Sequence, residues 1–199
     1  TDVPEDLDNV ISVDLAQYHA IALKSDGTVV AWGDDPNDYG LKDVPVGLTD
    51  VVAISISSFT SLALRSDGTV ASWGYQIPGF LEAPEGLNDI ISISAGWTHG
   101  LALRSDGTVE CWGSTYNGPC DIPEGLDDVV EIASGNYHNL ALRSDGTVVT
   151  WGLSSSDNSY AADIPGTCGP EGVENQNGDV CDSIDNEETC TQSGCEWDP

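Results

Sequence analysis

Basic residues are nearly missing from this chain. Only Lys24, Lys42, Arg65, Arg104 and Arg143 stand against 34 acids in 199 residues, and the formal net charge is −29. A chain so charged repels phosphate, so neither nucleic acid nor an anionic membrane surface is expected as a partner. No run of 18 apolar residues is present, so no membrane-spanning helix is expected. Asn-x-Ser/Thr sequons are absent, which leaves N-glycosylation without an acceptor. Methionine is absent too, and neither an initiator residue nor a signal peptide is seen. Thr1 therefore reads as a processed or trimmed start. No Gly-x-Ser-x-Gly, phosphate loop or Cys–His nucleophile pairing occurs. Enzyme activity is not expected, and a hydrolase or lyase is kept only as a remote alternative.

What is abundant is repetition. Ser25-Asp26-Gly27-Thr28-Val29-Val30-Ala31-Trp32-Gly33 recurs from Ser66 to Gly74, Ser105 to Gly113 and Ser144 to Gly152. Trp32, Trp73, Trp112 and Trp151 are spaced by 41, 39 and 39 residues. A period of this size signals a repeat architecture. Each copy reads as three strands. The first is a β-branched run (10–13, 51–56, 90–93, 129–132) whose alternate members, such as Val52, Ile54 and Ile56, are expected to share one face. The second centres on Leu-Ala-Leu or Ile-Ala-Leu, large residues on one face and Ala on the other, where a neighbouring sheet can approach. Ser-Asp-Gly then makes a tight turn into the third strand, which ends at Trp-Gly. Three such strands cannot bury both faces alone, but stacked blades can.

Loops of 9, 7, 7 and 10 residues follow the four Trp-Gly pairs and carry Tyr39, Tyr75, Phe80, Tyr116 and Tyr160. Length variation confined to one place puts these loops along one rim, a candidate binding surface. The simpler expectation is that each aromatic packs on the next blade. The domain boundaries expected are 1–165 for four repeats (about 8–47, 48–86, 87–125 and 126–165) and 166–199 for an acidic tail. Residues 1–7 align with the closing segment of a preceding repeat. The fold class expected is all-β: four three-stranded antiparallel blades in an open arc or partial propeller, with a small disulfide-stapled C-terminal segment.

These repeats resemble those of the regulator of chromosome condensation superfamily, through the His-x-Leu-Ala-Leu, Ser-Asp-Gly-Thr-Val and Trp-Gly elements over residues 1 to about 165. The short three-stranded blade is most similar to the propeller-type β-lactamase inhibitory members. The resemblance implies a β-propeller, usually of seven blades, and functions that span nucleotide exchange, chromatin binding and enzyme inhibition. None of these carries over residue by residue, because the matching residues are scaffold. Four blades of a seven-blade geometry would leave two unlike apolar end faces, whose pairing gives a ring or a filament. A compact four-bladed closure, or a fragment of a longer array, is the alternative.

His19, His99 and His138 share one repeat position, with Thr60 in the second copy. A ring of metal ligands is conceivable, but a structural His bonding the backbone is the expectation. Asp26, Asp67, Asp106 and Asp145 read as turn residues rather than a carboxylate ring. Cys111 and Cys120 flank one variable loop and are expected to pair. Cys168, Cys181, Cys190 and Cys195 staple a tail too poor in apolar residues to hold a core, in one of three connectivities. The segment from Cys181 faintly resembles plexin-semaphorin-integrin cysteine-rich repeats. The cysteines imply an oxidising, extracellular or secreted location. No cofactor is expected. Asp179, Asp182 and Asp185 are weak Ca²⁺ candidates, off the spacing of a helix–loop–helix calcium site. The expected function is that of a non-enzymatic extracellular structural protein that associates with itself through its end blades. The alternative is a secreted binding module or inhibitor that grips another protein with its rim loops.

Overall fold

The computed structural model describes residues 2–75, 82–84, 86–114 and 118–152. Phe80, Tyr116, Tyr160, the four tail cysteines and the three tail aspartates lie outside them. The described residues belong to one compact unit, Thr1–Leu153.

Among the described residues, twelve strands form four separate three-stranded antiparallel sheets. Blade 1 holds β1 (Val10–Leu15), β2 (His19–Lys24) and β3 (Val29–Gly33). Blade 2 holds β4 (Val51–Ile56), β5 (Thr60–Arg65) and β6 (Val70–Gly74). Blade 3 holds β7 (Ile90–Ala95), β8 (His99–Arg104) and β9 (Val109–Gly113). Blade 4 holds β10 (Val129–Ser134), β11 (His138–Arg143) and β12 (Val148–Gly152). The order within every blade follows the sequence, each strand pairing with the next. The β2–β3 turn is the Ser-Asp-Gly motif. Asp26 Oδ1 accepts from the Thr28 amide at 3.0 Å and its hydroxyl at 2.6 Å, and Gly27 sits at φ 79°. Asp67, Asp106 and Asp145 repeat these bonds, which hold their carboxyls below the ordinary range. They are turn residues.

The first strand of each blade departs from simple alternation. A register shift falls between Val51 and Ala53 and at the same place in every blade. The bulge leaves Val52 without a cross-strand partner and turns it outward, while Val51 joins Ile56 in the core. Val52 therefore does not share a buried face with Ile54 and Ile56. Three of these strands also run two residues beyond the β-branched run, to Leu15, Ala95 and Ser134, because pairing with the second strand continues there.

The core lies between blades. Ile21 and Leu23 of blade 1 pack against Leu48, Val51, Ile56, Ala63 and Trp73 of blade 2. Leu62 and Leu64 meet Leu87, Ile90, Ala95, Ala102 and Trp112. Leu101 and Leu103 meet Leu126, Val129, Ile132, Ala141 and Trp151. The small Ala at the centre of β5, β8 and β11 faces the preceding blade and lets the sheets come together. Among the described residues, no blade precedes blade 1. Val13 and Leu15 are 66% and 78% exposed, whereas Ile56, the counterpart of Leu15, is 8% exposed.

Candidate functional site

Polar bonds register each blade on the next. Asp14 Oδ2 accepts from the Ile56 amide at 2.8 Å, Ser55 Oγ from Ala95 at 3.0 Å, and Ser94 Oγ from Ser134 at 2.8 Å. His19 Nε2 meets Ser61 Oγ at 2.8 Å, and His99 Nε2 meets Asn139 Oδ1 at 2.8 Å. The imidazoles thus bond side chains of the following blade, not the backbone as their repeat position suggested. Where the following blade offers only Gly100, the repeat carries Thr60, whose hydroxyl donates to the Trp97 carbonyl at 3.1 Å instead. Asn139 Nδ2 donates to the Pro119 carbonyl at 2.6 Å, so its Oδ1 is the acceptor and His99 donates from Nε2. Trp151 Nε1 donates to the same carbonyl at 2.9 Å, as Trp73 does to Leu41 at 3.2 Å. Cys111 and Cys120 are bonded, which fixes the loop bearing Pro119. Burial pushes His19 and His99 below the ordinary histidine range. Asp35 and Asp14 oppose this at His19; at His99 the Asn139 bond opposes it and His138 adds to it. Among the described residues, no three His, Cys, Asp or Glu side chains stand close enough to hold a metal ion.

The blade end where β1 turns into β2 carries a row of aromatic rings. Tyr18 stands 5.5 Å from Phe59, Phe59 5.6 Å from Trp97, and Trp97 4.8 Å from Tyr137, so the row crosses all four blades. Tyr39 and Tyr75 join it from the variable loops. Tyr39 meets Tyr75 edge-on at 4.7 Å and Phe59 at 5.6 Å, and so packs on the next blade. Tyr75 also lies 5.9 Å from Phe59, within its own blade. Two local devices hold these loop rings. The Asp35 carboxylate accepts from the amides of Tyr39, Gly40 and Leu41 at 2.9–3.1 Å. Gly74, at φ 121°, lets the Phe59 carbonyl approach so closely that a Cβ would overlap it, and the Tyr75 amide then donates to that carbonyl at 2.9 Å. Phe59, Tyr75, Trp97 and Thr98 line an open depression of about 240 Å³. All six rings are half-buried. Sequence reasoning singled out Tyr39 and Tyr75 and missed Tyr18, Phe59, Trp97 and Tyr137. The signal was there: an aromatic directly precedes the first residue of the second strand in three copies.

Four sheets, each closed within one repeat and stacked face to face, define a repeat protein of the β-propeller class. The repeat of the regulator of chromosome condensation matches residues 10–40, 51–76, 90–118 and 129–160, and the chain belongs to that family. Among solved structures it is similar to Prp20p of Saccharomyces cerevisiae, at 26% identity and a TM-score of 0.62 over 75% of this chain and 46% of that one. That protein's structure was described together with its binding to Gsp1p and histones. The ectodomain of the Physcomitrella patens receptor kinase CR4 is similar at 25% identity and a TM-score of 0.60, over 72% of this chain and 41% of that one. Human WBSCR16 shares the fold at 20% identity and a TM-score of 0.59, over 75% and 49%. The chain spans about half the length of these structures. No curated protein matches it in sequence.

Proposed function

We propose that this chain is a non-enzymatic extracellular structural module that associates end to end with copies of itself. One observation carries this reading. Val10, Val13, Leu15 and Trp32 of blade 1 are the counterparts of side chains that blades 2 and 3 bury, wholly or in part, against a preceding blade, yet among the described residues no blade precedes them. Their natural complement is the pair that precedes each interface, and in blade 4 that pair is Leu140 and Leu142, both only half-buried. The two faces are unlike, so the pairing is head to tail. Such a junction keeps the apolar set but loses two polar bonds. Ala133 stands where Asp14, Ser55 and Ser94 supply an acceptor, and Ala20 stands where Ser61 and Asn139 receive an imidazole. Association between copies is therefore weaker than stacking within one chain, and reversible. The Cys111–Cys120 bond supports an oxidising location.

Light scattering on the native chain tests this. The expected mass rises with concentration through the tens-of-micromolar range, and Leu15→Glu holds it at the monomer. A wild-type chain that stays monomeric throughout overturns the proposal. The aromatic row favours a second reading, in which another protein is held on the rim. The binding of Gsp1p and histones by Prp20p supports that reading in kind, although this chain covers under half of that protein.

A further inference from the structure

Four of the five lysines and arginines of this chain share one repeat position. Lys24, Arg65, Arg104 and Arg143 each directly precede a Ser-Asp-Gly turn and so stand at the rim opposite the aromatic row. Three of them face carboxylates there, Lys24 with Asp8 at 2.9 Å, Arg104 with Glu110 at 3.1 Å and Arg143 with Asp127 at 3.9 Å. The fifth, Lys42, lies exposed in the loop that carries Tyr39. The row itself has exposed Asp34 and Asp38 at its blade 1 end and no basic side chain among its rings. It also sits in the field of a molecule of net charge −29.

We infer that the aromatic row is a docking surface for an extended, arginine-bearing segment of a partner protein. A guanidinium is planar, weakly hydrated and attracted to ring faces, so it uses both the aromatic surface and the negative field. A carboxylate or phosphate ligand would meet only repulsion. A lone small cation would leave most of the row uncovered, because the rings run across four blades at 4.8–5.6 Å spacings. The edge-on and tilted ring contacts lock the row in place before a ligand arrives, which lowers the ordering cost of binding.

The test is calorimetric titration of the native chain with a synthetic peptide of alternating arginine and serine, beside matched lysine and glutamate peptides. The arginine peptide is expected to bind tightest and the glutamate peptide not at all. Tyr75→Leu and Trp97→Leu should each weaken arginine-peptide binding about tenfold, as loss of a cation–π contact in a partly desolvated site requires. Asp67→Asn, in a turn on the opposite rim, should leave it unchanged. Unaltered circular dichroism separates loss of the site from loss of the fold, and Tyr39→Phe, which keeps the ring, should retain binding. Equal affinity in wild type and both ring variants, or equal affinity for arginine and lysine peptides that vanishes with added salt, would mean unspecific attraction to an acidic surface and overturns the inference. Binding of a neutral oligosaccharide at the row with no response to the arginine peptide also overturns it.

Discussion

A proton arriving at His99 has nowhere to go. Its Nε2 already donates to Asn139, and its Nδ1 is buried with no partner; the Nδ1 of His19, whose Nε2 bonds Ser61, is buried without one too. Charging either ring places an unsatisfied cation between two blades, so burial biases both toward the neutral form in the folded chain. Their unfolded counterparts titrate near the ordinary histidine value of about 6.5. The folded values lie lower, so this contribution is complete above about pH 6.5 and is lost as pH falls below it toward the folded values. The urea midpoint should therefore drop between about pH 7 and about pH 5, and the drop should shrink in a His19→Gln, His99→Gln double variant. A profile equally steep in that variant would assign the effect to other groups. The turn aspartates act in a separate window. Their folded values are depressed, so their contribution is present above the ordinary carboxylate range near pH 4 and fails below it.

At the scale of one element, the second strand of each blade does most to hold its neighbour. Its two large side chains fill one interblade core and its Ala admits the neighbour on the other side. Leu101 is fully buried between blades 3 and 4, so Leu101→Ala should lower unfolding free energy by about 2–5 kcal/mol. Leu140 is its repeat counterpart on the open face and only half-buried, so Leu140→Ala should cost well under half as much. Chemical denaturation of the two variants compares them directly, and equal losses would mean that the face of blade 4 is covered as thoroughly as an interior one. Much of this was legible in the sequence. Strand order, the Asp-Gly turns and the Ala facing a neighbour follow from local chemistry and from residue periodicity. The bulge at Val52 was not legible, because an extra residue in one strand is set by the pairing partner and leaves a β-branched run looking regular. The aromatic row was half legible: Tyr39 and Tyr75 stood out in variable loops, whereas Phe59 and Trp97 sit in short turns one position out of register with each other.

At the scale of the whole stack, three interblade cores lie in series among the described residues, and no strand among them passes from one sheet into another. Stability is then a sum of blades and junctions rather than the property of one centre. The partners that fix the histidines could be read only from the assembled stack, since His19 and Ser61 are 42 residues apart and His99 and Asn139 are 40 apart. Those partners alternate along the stack: imidazole with hydroxyl, Thr60 over Gly100, imidazole with amide. The alternation constrains how such a gene can lengthen or shorten. Loss of repeat 2 alone sets His19 over Gly100, which has no side chain to meet its Nε2. Loss of repeats 2 and 3 together sets His19 over Asn139, and tandem duplication of that pair sets His99 over a second Ser61. Removing or adding repeats 2 and 3 as a pair therefore keeps a side-chain partner for each of these imidazoles, although the structural unit is one repeat.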